Sequence, residues 1–181
     1  MTRWLDGPDE ADLGVLREAA GPVLDVGCGP GRMLDAAAQA GLVAVGIDTE
    51  KAATDLTRQK GFNAITGSIF DPLPGEILFG TILLLDGNVG IGADPAALLA
   101  RCRDLLAAGG TVIVETHPEA DRNDVFVAHL ASADGGDRSD TFPWAEIGAV
   151  PLTGYAARAG LYPVQHRMGN HRTFVHLQHR R

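Results

Sequence analysis

The chain has 181 residues, a hydrophobic fraction of 45% and a formal net charge of −8. This length fits a single domain with a core of ordinary size, so we expect residues 1–181 to form one. Nucleic-acid-binding domains usually carry a basic stripe, and the acidic balance argues against DNA or RNA as a main partner. The apolar runs are too short to cross a bilayer, and two cysteines make no disulfide framework. We therefore expect a cytoplasmic protein with no membrane contact.

Helices and strands alternate in the first half of the predicted structure. Helical spacing of apolar residues predicts a helix at 9–20, and short apolar runs predict strands at 23–26 and 43–47. Between these strands, residues 31–40 are alanine-rich and helical, and Gly41 ends that helix. We expect Thr49 to cap a helix at 50–60. A weak strand at 63–66 and a strongly apolar strand at 81–85 follow.

The next unit continues the alternation. Asp94 and Pro95 are typical of a helix start, and this helix is predicted to run to Ala107 and end at Gly109 and Gly110. Residues 111–115 are rich in β-branched side chains and predict a strand. Strands that alternate with helices of this length indicate right-handed βαβ units and a parallel sheet covered on both faces.

The predicted alternation of helices and strands ends after His117. Partial alternation at 124–130, a glycine pair, and residues 139–144 predict an inserted β-hairpin or lid within 119–144. A last helix is predicted at 151–160. Strands at 161–167 and 173–178 flank Gly169 and Asn170, which predicts a C-terminal antiparallel hairpin. The arginines near the C-terminus are expected to lie in solvent; they are Arg167, Arg172, Arg180 and Arg181.

The most informative motif is Asp25-Val26-Gly27-Cys28-Gly29-Pro30-Gly31, placed between a strand and a helix. Glycines let backbone N–H groups approach a ligand closely, and a helix N-terminus favours negative charge. Asp48 ends the next strand, where a carboxylate can accept hydrogen bonds from both hydroxyls of a ribose. This combination predicts a site for an adenosine-bearing cofactor. A nicotinamide dinucleotide fingerprint would need a third glycine where Arg32 stands.

With this motif the chain resembles the class I S-adenosylmethionine-dependent methyltransferases over residues 23–178. The resemblance implies a Rossmann-like, mostly parallel seven-stranded sheet with helices on both faces and a final antiparallel strand. It also implies S-adenosylmethionine as cofactor and S-adenosylhomocysteine as product. The glycine-rich residues 85–92 and the run Phe142-Pro143-Trp144 are similar to a compact actinobacterial subgroup, which brings no known substrate.

Thirteen residues are expected to contact the cofactor. Asp25 is expected near its amino group, with bracing of the turn as the alternative. Asp48 is expected on the ribose, with helix capping as the alternative. In the family the position of Ser68 is often acidic and accepts from the adenine amino group, so adenine recognition departs from the pattern here. The thirteen are Asp25, Gly27, Cys28, Gly29, Gly31, Asp48, Thr49, Ser68, Ile69, Phe70, Asp86, Gly87 and Asn88.

The sequence contains no obvious catalytic constellation. His117 follows the fifth strand and is the candidate general base, with an ordinary loop residue as the alternative. His176 and His179 are predicted to face opposite sides of a strand, so no metal site is expected. The sequence predicts methyl transfer to a small-molecule acceptor by in-line displacement. A cofactor-binding protein without transferase activity is the main alternative, and a nicotinamide-dependent oxidoreductase is a third.

Overall fold

The computed structural model describes residues 7–75, 77–129 and 141–179. Helices and strands alternate from α1 to β3, and a 3-10 segment, Asn88–Ala93, precedes the fourth helix. The helices are α1 (Glu10–Arg17), α2 (Arg32–Gln39), α3 (Lys51–Gln59), α4 (Pro95–Asp104) and α5 (Ala149–Arg158). The strands are β1 (Val23–Val26), β2 (Ala44–Asp48), β3 (Asn63–Thr66), β4 (Phe79–Leu84), β5 (Leu106–Thr116), β6 (Asn123–Ala128), β7 (Phe142–Ile147), β8 (Leu161–Gly169) and β9 (Arg172–His179).

Seven strands form one sheet in the order β3-β2-β1-β4-β5-β9-β8. Strands β1 to β5 are parallel, whereas β9 is antiparallel to both of its neighbours. The predicted mostly parallel sheet with a C-terminal antiparallel hairpin is therefore confirmed. The strand order reverses between β1 and β4, and ligands of open α/β sheets bind at the carboxyl ends of strands beside such a reversal.

Apolar side chains cover both faces of this sheet. Leu24 and Ile82 belong to a cluster that packs against α4 and α5. Val23 and Leu83 belong to a second cluster, which packs against α1 and α2. Successive residues of a strand point to opposite faces of the sheet, so β1 and β4 each supply residues to both clusters. No helix within the described ranges is long and apolar enough to cross a membrane.

The junction of α4 and β5 differs from its prediction. Asp94 caps α4 as expected and accepts a hydrogen bond from the Ala97 N–H at 3.0 Å. The helix ends at Asp104, and β5 begins at Leu106 instead of Thr111. Leu106 pairs with Phe79 of β4, so strand pairing competes successfully with helix propensity here. The predicted helix-ending glycines consequently lie within β5.

The turn of the C-terminal hairpin lies one residue later than expected. Gly169 pairs with Arg172 across the strands, and Asn170 and His171 form the connection with φ angles of +50° and +61°. Two successive left-handed residues are the geometry of a type I′ turn, whose twist matches that of the strands it joins. Because asparagine and histidine tolerate this region better than most residues, no glycine is needed at the turn.

Strands β6 and β7 form a separate antiparallel pair, in which Phe126 lies opposite Trp144. Residues 130–140, the middle of the region predicted as an inserted hairpin or lid, lie outside the described residues. Strand β7 packs on the 3-10 segment so closely that a Cβ on Gly90 would lie 2.0 Å from the Ala145 carbonyl oxygen. The alternation predicted for β6 does not correspond to burial, because Val125 and Phe126 are both exposed.

Candidate functional site

The glycine turn between β1 and α2 is held to the end of β2 by its backbone. Gly27 and Cys28 both donate their N–H groups to the carbonyl oxygen of Ile47, at 2.8 and 3.1 Å. Gly27, Gly29 and Gly31 have φ angles of +71°, +50° and +86°, a region that side chains other than glycine rarely adopt. A Cβ at Gly29 would meet no atom within 4 Å. The turn therefore presents open backbone at the carboxyl edge of the sheet.

The Cys28 side chain is directed into the protein. Its sulfur occupies the space beside Gly46 and would lie 2.5 Å from a Cβ there. Burial strongly raises the pKa of the Cys28 thiol. A buried, protonated thiol is chemically inert, so only the backbone of Cys28 is placed for contact with a ligand.

Asp48 closes the turn from the other side. Its Oδ2 accepts a hydrogen bond from the Gly29 N–H at 2.8 Å, and its Oδ1 accepts from the Glu50 N–H at 2.9 Å. Each carboxylate oxygen can accept more than one hydrogen bond, so both retain capacity for a ligand. The expectation that Thr49 caps α3 is wrong: the cap is Glu50, whose side chain accepts from the Ala52 N–H, one residue later than predicted.

Asn88 supports the turn from the end of β4. Its side-chain amide donates to the carbonyl oxygens of Val26 at 2.7 Å and Gly27 at 3.1 Å. A Cβ on Gly27 would lie 2.5 Å from the Asn88 Nδ2. The amide of Asn88 is thus committed to bracing the turn, which sequence reasoning did not anticipate. The neighbouring Gly87, in contrast, has open space where a Cβ would be.

Asp25 lies beneath the turn and is buried. Within the described residues its carboxylate has no hydrogen-bond partner. Burial raises its pKa to about 7, against the opposing charge of Arg32. A buried carboxylate without a partner is uncommon in folded proteins and is a recognised mark of functional sites.

An ion-pair network that the sequence did not predict surrounds Asp86. Arg32 pairs with both Asp12 and Asp86. Arg172 binds Glu115 through two hydrogen bonds of 2.7 and 2.6 Å and also donates to Asp12 at 2.7 Å. The network therefore connects α1, α2, β5 and β9 to Asp86, the second residue after β4.

The burial of Arg172 in this network contradicts its predicted position in solvent. The Arg172 side chain is 7% exposed. Burial lowers its pKa, but the bonds to Glu115 and Asp12 outweigh burial, and the net pKa is raised. Arg167 also makes internal contacts, with Glu18 and the Gly14 carbonyl oxygen. Arg180 and Arg181 lie outside the described residues.

The residues after β3 form a short ordered loop. The Ser68 Oγ accepts a hydrogen bond from the Phe70 N–H at 3.2 Å. Ile69 is buried in the core, whereas Phe70 is 43% exposed and its ring packs against Gly92. Arg101 of α4 holds the loop by donating to the Ile69 carbonyl oxygen at 2.9 Å. Phe70 and Ser68 thus remain available at this edge, whereas the Ile69 side chain belongs to the core.

A cavity of about 270 Å³ opens beside Asp86 and Gly87. The end of β5, the following loop and β7 complete its walls. His117 lies in this lining, where its Nδ1 accepts a hydrogen bond from the Glu119 N–H at 3.1 Å. The neutral ring then carries its hydrogen on Nε2, which is 4.0 Å from the Glu146 Oε2. A base role for His117 consequently requires the bond from Glu119 to break first.

The sheet order and the position of the glycine turn define a Rossmann-like α/β protein of the class I methyltransferase type. The chain belongs to the family described as "Methyltransferase domain", whose model matches residues 9–178.

Comparison with known proteins gives relatives among both curated proteins and solved structures. The ubiquinone biosynthesis O-methyltransferase of Methylococcus capsulatus is 33% identical over 102 residues. That match covers 51% of this chain and 42% of the relative, so the chain aligns with less than half of that protein.

The solved structures match over more of the chain. A methyltransferase from Bacteroides fragilis in complex with S-adenosyl-L-homocysteine has a TM-score of 0.75 and 22% identity, covering 94% of this chain and 77% of that one. The glycopeptide N-methyltransferase MtfA in complex with S-adenosyl-L-methionine has a TM-score of 0.74 and 14% identity, covering 97% and 95%. At these identities the similarity establishes the shared fold.

Proposed function

We propose that this chain is an S-adenosylmethionine-dependent methyltransferase that acts on a small-molecule acceptor. The observation that carries the proposal is a juxtaposition at the reversal of strand order. The glycine turn, Asp48 and the residues after β4 meet at one edge, and a cavity opens directly beside them. Family membership and the folds of the similar methyltransferases support the same activity.

The residues fit the cofactor in chemistry and in space. Asp48 accepts from the ribose hydroxyls, and the open backbone at Gly29 admits the ligand close to the turn. Phe70 packs against the adenine, and Ser68 supplies a single hydroxyl in place of the family's acidic residue. The unpartnered carboxylate of Asp25 and the open Gly87 face the methionine part. Gly27, Gly31, Cys28 and Asn88 shape the turn around it, and Thr49 and Asp86 border it.

The cofactor supplies an electrophilic methyl group, so the chain's task is alignment. An acceptor in the cavity would lie beside Asp86 and Gly87, and in-line displacement requires its nucleophile to face the sulfonium methyl group there. The cavity is slightly smaller than the range of about 300–1,000 Å³ typical of ligand sites, which favours a small acceptor. The acidic charge favours the same class over nucleic acid, and a cytoplasmic location remains a prediction from cysteine usage.

A second candidate function is cofactor binding without transfer. The engaged Nδ1 of His117 favours it, because the cavity then offers no neutral nitrogen base. Acceptors that are already good nucleophiles need no such base. The engaged Nδ1 therefore restricts which acceptors can be methylated, but it does not exclude methyl transfer itself.

Calorimetry and a transfer assay separate these functions. We expect S-adenosylmethionine and S-adenosylhomocysteine to bind the full chain and NAD not to bind. Transfer of a labelled methyl group from S-adenosylmethionine to any small-molecule acceptor would establish the enzyme. Binding of both sulfur ligands without transfer across a broad acceptor set would favour the binding protein, and binding of neither would exclude both functions.

A further inference from the structure

The cavity beside the proposed methyl-donor site has a negatively charged lining. Asp86, Glu115 and Glu146 line it, and no lysine or arginine of the described residues does. Each pairs with an arginine that is not part of the lining: Arg32 with Asp86, Arg172 with Glu115 and Arg122 with Glu146. The charged side chains of the lining are therefore carboxylates.

Glu146 keeps one carboxylate oxygen for a ligand. Both contacts with Arg122 use Oε2, at distances of 3.0 Å from Nε and 2.8 Å from Nη2. The Oε1 atom makes no hydrogen bond or ion pair within the described part of the chain. The Arg122 contacts fix the orientation of the carboxylate, so Oε1 is a positioned acceptor on a residue that lines the cavity.

A second polar group in the same lining is buried and unsatisfied. Thr116 is 5% exposed, and its Oγ1 has no hydrogen-bond partner among the described residues. Buried hydroxyl groups are normally paired, and this one belongs to a residue that lines the cavity. Because Oγ1 is itself inaccessible to solvent, a ligand N–H group would supply the missing partner only after the Thr116 side chain turns toward the cavity.

Trp144 forms a further part of the wall. Its ring is held by an edge-to-face contact with Phe142, with centroids 5.8 Å apart. Aromatic faces attract cations, and tryptophan does so most strongly. The cavity thus combines an oriented carboxylate oxygen, a free hydroxyl and an indole, a set suited to an ammonium group.

We propose that the acceptor is a cationic amine, bound in this cavity by Glu146, Thr116 and Trp144. This inference rests on the proposed function and adds its substrate class. The ammonium donates hydrogen bonds to Glu146 Oε1 and Thr116 Oγ1. It gives one proton to bulk water, and its nitrogen lone pair then forms the N–C bond as the C–S bond breaks and sulfur keeps the bonding pair. Nitrogen gains positive charge during transfer, and the Glu146 carboxylate stabilises that charge.

The charge preference is tested without turnover. Choline and its uncharged isostere 3,3-dimethylbutan-1-ol are titrated by calorimetry into the full chain saturated with S-adenosylhomocysteine. We expect choline to bind at least tenfold more tightly than the alcohol. The ratio should fall at least fivefold in Glu146→Gln. It should be unchanged in Asp124→Asn, because Asp124 pairs with the same Arg122 but lies outside the cavity lining.

Thr116→Val supplies an independent variant of almost equal volume. It should weaken the binding of protonated benzylamine at least threefold and leave the affinity for choline unchanged, because only benzylamine has N–H groups to donate. Equal affinity for choline and the alcohol, or no binding of choline, would overturn the inference. Binding of S-adenosylhomocysteine is measured on every preparation. If the wild-type chain does not bind S-adenosylhomocysteine, the proposed function is refuted. If it binds S-adenosylhomocysteine but shows no preference for choline, only the cationic amine acceptor is refuted.

Discussion

The Asp48 carboxylate accepts a hydrogen bond from the backbone N–H of Gly29 at 2.8 Å, across a separation of 19 residues. One side chain therefore holds the glycine turn in place while its remaining lone pairs face the proposed ribose site. A residue with both tasks affects binding directly, through the ligand, and indirectly, through the shape of the turn.

Replacing Asp48 with alanine should weaken the binding of S-adenosylhomocysteine by about 1.5–3 kcal/mol, because charged hydrogen bonds to the ligand are lost. The dissociation constant is measured by calorimetry. Asp55→Ala is the matched control, since Asp55 is on α3 and pairs with Lys51 and Arg58 away from the turn. An unchanged dissociation constant for Asp48→Ala would restrict Asp48 to its backbone contacts.

Gly27→Ala should destabilise the chain by roughly 2 kcal/mol or more, because the added Cβ meets Asn88 and the φ angle is left-handed. Gly61→Ala is the control: Gly61 also has a left-handed φ angle, +87°, but has open space around it. Urea denaturation gives both free energies of unfolding. In the Asn88→Ala background the Gly27 substitution should cost less, and strict additivity would refute the clash.

Stability should depend on pH through Asp25. Its folded-state pKa is raised to about 7, so its contribution to stability is complete below pH 3.8 and is lost as the pH rises through 7. Asp25→Asn removes this titration. The difference in unfolding free energy between Asp25→Asn and the wild type should shift in favour of the variant between pH 5 and 8, by at most about 1.4 kcal/mol per pH unit. A constant difference across this range, in denaturation curves of the ligand-free chain, would contradict the raised pKa.

Arg172→Met should destabilise the chain by about 3 kcal/mol, because Glu115 loses its bidentate partner and Asp12 keeps only Arg32 of its two arginines. Arg167→Met is the comparison. Arg167 pairs with Glu18 at a half-exposed position, where an ion pair contributes about 1 kcal/mol or less. Both effects are read from chemical denaturation at neutral pH, and similar values for the two arginines would refute the distinction.

His117→Asn keeps an oxygen where Nδ1 accepts the Glu119 N–H and removes Nε2. We expect methyl transfer to an amine acceptor to fall by less than tenfold. Loss of a true general base would cost about 10²–10⁴-fold. The rate of product formation with saturating S-adenosylmethionine distinguishes these results, and the larger loss would restore His117 as the base.

The parts of the site that follow one another in sequence were predictable. The glycine turn directly follows β1, and Asp48 is the last residue of β2, so their positions follow from the strand pattern. The pairs made by Arg172 were not predictable, since its partner Asp12 is 160 residues away and isolated charges are usually solvated. The end of α4 was also missed, because pairing of Leu106 with Phe79 is a tertiary contact that overrides local propensity.

The 3-10 segment Asn88–Ala93 joins two parts of the molecule that have separate tasks. Its first residue fixes the glycine turn, and two residues later Gly90 supports β7, the strand that carries Glu146 and Trp144. The separation between the proposed methyl-donor site and the proposed acceptor cavity is thus set by two adjoining contacts within one short segment. An insertion or deletion in this segment would change the distance between the cofactor site and the cavity. It would thereby change the size of molecule that can be methylated, while the binding groups at both ends stay intact.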